Sequence, residues 1–122
     1  MSTLKVNTIQ DASGGNASTS EQIAQGRAKI WAAFNQSTVN DSFGVSSVTD
    51  NGTGNYTVNF SSSFSNTNYC ALATGGNGNN APCGIATMEK NTGSYRVITT
   101  GLNVQINQLT DSSLTGVAIF AD

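Results

Sequence analysis

Hydrophobic and polar residues alternate through most of the chain after residue 37, and this period of two is the pattern of half-buried β-strands. The clearest alternating face is formed by Tyr56, Val58 and Phe60. Because the apolar stretches are short and separated by polar turns, we expect a small antiparallel β-sandwich or barrel-like head. The predicted strands are Ser42–Val48, Tyr56–Phe60, Tyr69–Thr74, Ile85–Lys90, Tyr95–Thr100, Asn103–Ile106 and Leu114–Phe120.

Turn-forming residues separate several of these strands. Residues 50–54 (DNGTG) predict a tight hairpin turn, and residues 91–93 (NTG) predict another. Residues 75–82 (GGNGNNAP) predict a long loop. The turn at 50–54 also begins like a calcium-binding loop, but it lacks the glutamate that closes one, so a hairpin is favoured and no metal site is expected.

The residues before this β-region follow a different pattern. Residues 1–12 alternate like a short extended strand, and the Ser-Gly-Gly-Asn sequence at 13–16 interrupts them. Thr19 and Gln22 have the spacing of a capping box, and Glu21 lies in the first turn, where the helix dipole favours an acid. These features predict a helix that begins near residue 21.

We expect this helix to continue to about residue 36, because its apolar residues fill one broad arc of a helical wheel. Gly26 weakens the helix, and about fifteen residues form only a marginal helix in water, so it must pack on another surface, which a homotrimer would supply. Arg27 lies within the arc, where it either extends its charged end to the surface or pairs with another subunit. The second is favoured, with Asp11 or Asp41 as the source of the carboxylate. The predicted trimer interface comprises Ile23, Arg27, Ile30, Trp31 and Phe34.

The chain is therefore predicted to be mainly β, with a short N-terminal arm and one α-helix before the head. The predicted parts are an attachment arm at residues 1–20, a helical trimerisation stem at 21–36 and a β-sandwich head at 37–122.

Composition narrows the range of partners. Charged residues make up only 10% of the 122 residues, against about 25% in ordinary domains. Asn, Ser and Thr occur fifteen times each; such a composition also occurs in disordered, prion-like tracts, but the regular apolar alternation favours a folded head. The net charge of −2 and the five dispersed basic residues argue against nucleic acid as a partner.

No apolar run approaches the roughly 20 residues that span a bilayer, so we expect no membrane insertion. The N-terminus lacks a secretory signal, so we expect synthesis in a cytoplasm.

Catalysis is not expected from this sequence. The chain has no histidine, which excludes Ser–His–Asp and Cys–His nucleophile systems, and no two acids lie close together in the sequence. Two cysteines without histidine do not make a zinc site, and no cofactor is expected. Cys70 and Cys83 flank the glycine- and asparagine-rich loop, and two interpretations stay open: a disulfide that pins the loop, or two reduced thiols, which cytoplasmic synthesis favours.

The loop between these cysteines carries three amide side chains that could contact a polar partner, those of Asn77, Asn79 and Asn80. Three aromatic residues are of the type that stacks on sugars, although packing in a core or an interface is the more common role for each. They are Trp31, Tyr69 and Tyr95.

Several blocks of the sequence resemble one protein family. Ser2–Asp11 (STLKVNTIQD), Glu21–Lys29 (EQIAQGRAK) and Ser42–Phe60 (SFGVSSVTDNGTGNYTVNF) resemble short tail-fibre and virion structural proteins of marine bacteriophages that infect cyanobacteria. Gly116–Phe120 (GVAIF) is similar to the closing strand of many fibre domains.

The resemblance implies a homotrimeric fibre that is located on the virion and synthesised in the host cytoplasm. Its N-terminal arm would bind other tail or capsid proteins, and its head would attach the particle to the host surface. Asn77, Asn79 and Asn80 are then the predicted receptor contact, with a host-surface glycan as the expected ligand. The alternative is a capsid decoration or cement protein, which stabilises the virion head and contacts no host.

Overall fold

Antiparallel β-strands make up most of the chain. The computed structural model describes residues 1–77, 81–101 and 108–122. A two-stranded sheet pairs β1 with β2, and the other strands form one eight-stranded sheet in the order β4-β3-β10-β7-β8-β9-β6-β5. The elements in these residues are β1 Thr8–Ile9, β2 Ser18–Thr19, α1 Ser20–Gly26, β3 Ile30–Asn35, β4 Thr38–Phe43, β5 Val45–Asp50, β6 Asn55–Phe60, β7 Cys70–Asn77, β8 Ala81–Lys90, β9 Ser94–Gly101 and β10 Leu114–Phe120.

The eight-stranded sheet folds over into two facing layers. We call β4-β3-β10-β7 the front sheet and β8-β9-β6-β5 the back sheet. The two are joined where β7 pairs with β8 over only two residue pairs. At the other side, Gly44 alone separates β4 from β5, and its φ of 71° lies in the region that favours glycine. The Phe34 ring of the front sheet meets the Tyr56 ring of the back sheet edge-on, with centroids 5.7 Å apart. The predicted mainly β, antiparallel fold is confirmed, and this layering is that of a small sandwich.

The core lies between the layers and follows from the period of two in each strand. In β6 the residues Tyr56, Val58 and Phe60 are buried, while the residues between them are half-buried on the outer side. Burying a side chain of this size stabilises the fold by roughly 1.5–3 kcal/mol. Among the residues that the structure describes, the buried apolar ones are Ile30, Ala32, Phe34, Val48, Tyr56, Val58, Phe60, Tyr69, Tyr95, Val97, Val117 and Ile119.

The strand directions give the sandwich two different ends. At one end, which we call the arm end, the chain enters from the N-terminal segment, and the Lys29 N–H donates to the Ile119 carbonyl at 2.8 Å. The arm end also contains Gly44 and the connections at 61–69 and 91–93. The opposite end, the loop end, contains the connections at 36–37, 51–54 and 108–113, and the borders of the undescribed residues 78–80 and 102–107.

The helix is shorter than predicted. Its capping box is confirmed, because Thr19 Oγ1 accepts from the Gln22 N–H at 3.1 Å and the Gln22 side chain accepts from the Thr19 N–H at 2.9 Å. The helix ends at Gly26, however, and Arg27 has the extended backbone of φ −95° and ψ 141°. The predicted helical stem at 21–36 is therefore wrong beyond this point.

A strand, β3, replaces the second half of the predicted stem. Ile30, Ala32 and Phe34 are buried and the residues between them are exposed, which is a period of two. Ile30 and Phe34 also lie on one side of a helical wheel, but the strand buries them, together with Ala32, between two sheets. Ile30 and Phe34, two of the predicted trimer-interface residues, thus belong to the core of their own chain.

The other strand predictions within the described residues are confirmed in position, but the predicted loop at 75–82 is too long, because β7 extends to Asn77 and β8 begins at Ala81. Leu114–Phe120 has the predicted bounds, and the hairpin turns at 50–54 and 91–93 join β5 to β6 and β8 to β9. The predicted strand Ser42–Val48 is instead divided between β4 and β5 at Gly44. The predicted strand Asn103–Ile106 lies outside the described residues. Register shifts occur in β4, β5 and β8. β4 and β5 are the two outermost strands of the sheet order, where such bulges hinder pairing with other sheets.

Candidate functional site

The β5–β6 hairpin at the loop end is held by several hydrogen bonds. Its turn is closed by the Asn51 N–H, which donates to the Asn55 carbonyl at 2.8 Å, and by the Gly52 N–H, which donates to Asp50 Oδ1 at 2.9 Å. Gly52 and Gly54 have φ values of 117° and 62°, which other residues rarely adopt. The Asp50 carboxylate is therefore used to fix the turn.

Asp111 clamps this hairpin from a distant part of the chain. Its Oδ1 accepts from the Gly54 N–H at 2.7 Å and from the Tyr56 hydroxyl at 2.9 Å. The Ser112 N–H in turn donates to the Tyr56 hydroxyl at 3.3 Å. Hydrogen bonds to an ionised carboxylate are stronger than those between neutral groups, so this carboxylate ties the segment after residue 107 to the back sheet.

Gly54 is packed too closely for any side chain. A Cβ atom there would lie 2.6 Å from the Thr99 carbonyl oxygen and 2.7 Å from the Thr110 nitrogen. Thr99 is fully buried; its N–H donates to the Gly54 carbonyl at 2.8 Å, and its hydroxyl donates to the Thr110 carbonyl at 2.5 Å. The hairpin, β9 and the 108–113 segment are thus held together by backbone atoms in direct contact.

Ser112 extends this network to the front sheet. It is fully buried, and its hydroxyl donates to the Gly76 carbonyl at 2.7 Å and accepts from the Gly76 N–H at 3.1 Å. We name Gly54, Tyr56, Thr99, Asp111 and Ser112 the loop-end clamp. The clamp therefore holds the loop-end parts of β7, β9 and the 108–113 segment to one another and to the β5–β6 hairpin.

Burial in the clamp changes the acidity of Tyr56. Removal from water, and then the hydrogen bond to Asp111, raise the pKa of Tyr56 to about 12. The phenol therefore keeps its proton at neutral pH and acts as a donor to the carboxylate, so the group has a structural role in the clamp.

The predicted receptor-contact residues are only partly placed by the structure. Asn77 is the last residue of β7, and its backbone pairs with Ala81 at the loop end. Asn79 and Asn80 lie outside the described residues. β7 ends and β8 begins at the end of the sandwich opposite the N-terminal segment.

The two cysteines are far apart. Both thiols are free. Cys70 begins β7 opposite Phe120, whereas the Cys83 Cβ lies 3.5 Å from the Cβ position of Gly75. Five residues of strand separate these places, or about 17 Å at ~3.4 Å per residue, and a disulfide needs Cα atoms within about 7 Å. The disulfide interpretation is therefore wrong for this chain.

The N-terminal segment is held to itself more than to the head. No residue before Ile30 is buried. The loop between β1 and β2 is organised by Asp11, whose carboxylate accepts from the Ser13 hydroxyl at 2.7 Å and the Gly15 N–H at 2.8 Å. These bonds, with the Ser13 hydroxyl first, hold the pKa of Asp11 below its usual value. Leu4, Val6, Ile9 and Ile23 are exposed apolar residues of this segment.

Arg27 and Trp31 lie close together at the arm end. Arg27 is exposed and has no ion-pair partner among the described residues. Together with Lys29, Trp31 and Phe43 it lines a shallow depression of about 350 Å³. The pairing of Arg27 with another subunit stays a prediction, but its setting is a sheet edge and not a helical stem.

The outward side of the front sheet is mostly apolar. One row across the four strands comprises Phe43, Trp31, Ala118 and Leu72, which are direct neighbours in the pairing register. Phe43 and Leu72 are 59% and 58% exposed. The next row comprises Asp41, Ala33, Gly116 and Thr74, and Leu114 lies beyond it at the loop end. We call this surface the front outer face and define it by Trp31, Ala33, Asp41, Phe43, Leu72, Thr74, Leu114, Gly116 and Ala118.

The outward side of the back sheet is mostly polar, and its side chains bond to one another. The Asn59 amide donates to Ser47 Oγ at 3.1 Å and to Thr49 Oγ1 at 2.9 Å. The Arg96 Nε donates to Asn55 Oδ1 at 2.9 Å. Such cross-strand pairs suit a sheet face that stays in water.

Two of the three aromatic residues considered for sugar stacking are in the core. Tyr69 and Tyr95 are 3% and 1% exposed, and burial raises the pKa of Tyr69 to about 12. The Tyr69 hydroxyl lies 3.1 Å from the carbonyl oxygens of both Asn91 and Ser94. Trp31, at 36% exposure, stays available for contact with a partner.

The front outer face was missed in the sequence, although a signal for it exists. β10 reads LTGVAIF and β7 begins CALA, so both strands are apolar or small at almost every position. Continuous apolar strands are typical of sheets covered on both faces. The alternating strands β6 and β9 lack this property.

Within the described parts of the chain, no helix is long and apolar enough to cross a membrane. The same residues contain no group of three or more side chains able to hold a metal ion. Comparison of the chain with protein-family models, with curated proteins and with solved structures found no match.

Proposed function

We propose that the chain is a structural subunit of a bacteriophage particle, most similar in design to a tail fibre. Its N-terminal segment binds the particle and its loop end faces the host cell. The observation that carries this proposal is the placement of the two regions at opposite ends of one rigid sandwich. A protein that bridges two surfaces needs this arrangement, because each contact must be free of the other.

The loop-end clamp supports the second half of the proposal. Binding residues on loops are effective when a rigid scaffold fixes the ends of those loops. Here hydrogen bonds of 2.7 and 2.9 Å to Asp111 hold the β5–β6 hairpin against the 108–113 segment, and the Ser112 hydroxyl holds that segment to Gly76 near the end of β7. Asn77 borders the loop that contains Asn79 and Asn80. Amide side chains both donate and accept hydrogen bonds, so a polar, uncharged ligand such as a host-surface glycan is the class that this end suits.

The exposed apolar residues of the N-terminal segment support the first half. Leu4, Val6 and Ile9 are exposed at 83%, 41% and 53%, and Leu4 and Val6 are two residues apart, as side chains on one side of an extended stretch are. Such a segment can add to the edge of a partner's sheet, where main-chain bonds give affinity and alternate side chains give specificity. The partner on the particle is a tail or capsid protein.

We further propose that the subunit works as a homotrimer. The chain exposes apolar surface on both the N-terminal segment and the front sheet, and a monomer in water would leave both uncovered. Assembly of identical chains also gives several loop ends on one fibre, which raises the avidity of weak glycan contacts.

The decisive experiment locates the chain on the intact particle. Antibodies against the purified protein, viewed on phage particles by electron microscopy, should label the distal part of the tail. The purified protein should also reduce adsorption of the phage to the cyanobacterial host that the sequence resemblance implies. Labelling spread over the capsid, with no effect on adsorption, would instead identify a decoration protein. Particles with no label would overturn the structural role itself.

A further inference from the structure

The strands of the front sheet have the composition of strands that are covered on both sides. The buried residues of β10 face the core. The residues that face outward are also apolar or small, namely Leu114, Gly116, Ala118 and Phe120. In β3 the outward positions include Trp31 and Ala33. Solvent-facing strands usually carry polar residues at these positions. The same chain follows that rule on the back sheet, so the departure is confined to one face.

We propose that further copies of this chain cover the front outer face, which is therefore the subunit interface of the assembly. This inference rests on the homotrimer in the proposed function. It replaces the predicted interface on a helical stem, since two of those five residues are buried in the chain's own core. Trp31 is the residue that both interfaces share, and tryptophan is enriched among residues that dominate binding energy.

The charges around the face favour another copy of this chain as the occupant. The face itself holds one ionisable residue, Asp41, which pairs with Ala33 on the outermost strand β4. Arg27 and Lys29 lie at its arm end beside Trp31 and Phe43. The uncharged row of Phe43, Trp31, Ala118 and Leu72 can pack against the same row of another copy without electrostatic repulsion. The charged residues around it have both signs, so those of one copy can pair with those of the next. Arg27 of one copy and Asp41 of the next are the pair that this geometry offers.

The size of the face also fits a sheet-sized partner. Four strands at ~4.8 Å spacing and about six residues at ~3.3 Å give a plan area of about 400 Å². A standard interface uses about 800 Å² of accessible surface from each partner, and protruding side chains make the accessible surface larger than the plan area. The face therefore provides a large part of one interface and is too wide for a single small ligand.

Contact through this face would also bring the N-terminal segments together. The row of Trp31 and Phe43 lies directly beside residues 27–29, where the chain leaves the head. Copies packed on this row therefore have their segments side by side at the arm end. Several segments in one place are what attachment to a single point on a particle requires.

The test uses the intact chain and its single tryptophan as a reporter. At micromolar concentration, sedimentation should show an assembly, and the emission maximum of Trp31 should lie at shorter wavelength than in a dilute, dissociated sample. Leu72→Glu places a charge in the central row and should weaken assembly by at least about tenfold in dissociation constant. Met88→Glu is the matched control, because Met88 is similarly exposed at 54% but lies on the back sheet. This control should change the constant less than about threefold.

A second measurement does not depend on any variant. Cys70 is exposed on the same side of β7 as Leu72, so a maleimide should modify it slowly in the assembled protein and quickly after dilution. Mass spectrometry separates its reaction from that of Cys83. An assembly in which Trp31 and Cys70 stay accessible, and which Leu72→Glu leaves intact, would overturn this interface while leaving the homotrimer standing.

Other occupants give different results. A monomer at all concentrations would overturn the inference and the homotrimer together. If Cys70 reacted freely in the purified protein but was protected in intact particles, another virion protein would be the occupant, and copies of this chain would not. The particle-labelling experiment remains independent, since a particle without this chain would defeat the proposed function even if the interface existed.

Discussion

One carboxylate oxygen connects parts of the chain that are more than fifty residues apart. Asp111 Oδ1 is 57 residues from Gly54 and 55 from Tyr56 in sequence, and it accepts a hydrogen bond from each. Both donors are shielded from water, so a water molecule cannot take the place of the carboxylate as their acceptor without a cost in free energy. Removing an acceptor from buried donors costs more than the net value of the bond itself.

Replacement of Asp111 should therefore destabilise the whole head. We expect Asp111→Ala to lower the free energy of unfolding by about 2–3 kcal/mol, because two donors lose a charged acceptor. Asp111→Asn keeps one carbonyl acceptor and should lower it by about 1 kcal/mol. Urea denaturation followed by far-UV circular dichroism measures both. A loss under about 0.5 kcal/mol for the alanine variant would mean that the clamp does not form.

The two buried tyrosines predict a loss of stability in alkali. Burial raises the pKa of both Tyr56 and Tyr69 from 10.0 to about 12. Below pH 10 both are protonated in the folded and unfolded chains, so their contribution is fully present. Between about pH 10 and 12 the unfolded chain releases protons that the folded chain retains, so stability falls as pH rises.

Thermal unfolding measured from pH 8 to pH 12 checks this behaviour. The midpoint of the native chain should fall more steeply above pH 10 than that of the Tyr56→Phe, Tyr69→Phe double variant. The double variant will be less stable throughout, because two hydroxyl bonds are lost, so the slope and not the absolute midpoint carries the comparison. Equal slopes would contradict the prediction.

At the scale of elements, the sequence predicted strands well wherever apolar and polar residues alternate. β6, β8, β9 and β10 lie within a few residues of their expected positions. The failure at Ile30–Asn35 has a physical cause. Six residues span less than two helical turns, so a period of 2 and a period of 3.6 cannot be separated by counting. Partners distant in sequence, β10 and β4, decide in favour of the strand.

The clamp was also beyond sequence analysis. Nothing in the sequence around Asp111 indicates that it accepts bonds from a turn 55 residues away, since such contacts follow from how strands are ordered in the sheet. The turn itself was predictable, because glycines at positive φ leave a local signature. The cysteines illustrate the same limit, since the direction of β7 separates two residues that flank one loop.

A pair of substitutions distinguishes the strand from the helix. Ala32 is buried in β3 at 3% exposure, but on a helical wheel it falls outside the apolar arc. We expect Ala32→Gln to cost about 3 kcal/mol or more, because it overpacks the core and buries an unpaired amide. Ala86→Gln, at an exposed position in β8, is the control and should cost less than about 0.5 kcal/mol. Chemical denaturation of both variants tests this, and a neutral Ala32→Gln would restore the helix.

The whole molecule combines two parts that differ in how they are stabilised. The head has a continuous core between two sheets, whereas α1 has no buried residue and the β1–β2 sheet pairs only two residues on each side. Short hairpins and helices of this size are marginal alone in water. The N-terminal segment therefore contributes little to the folding of the head, and its exposed apolar residues suit a contact outside the chain.

Deletion of residues 2–12 separates these roles. The deletion removes β1 and the Asp11 loop but no buried side chain, so the free energy of unfolding of the head should change by less than about 0.5 kcal/mol. Under the proposed function, the shortened chain should fold but no longer enter phage particles. A full-length variant with Leu4, Val6 and Ile9 all replaced by serine keeps the chain length and the Asp11 loop, and it should fail in the same way if these side chains make the contact. Unfolding of the head after deletion would show that the segment belongs to the core. Normal incorporation of both variants into particles would show that another part of the molecule binds the virion.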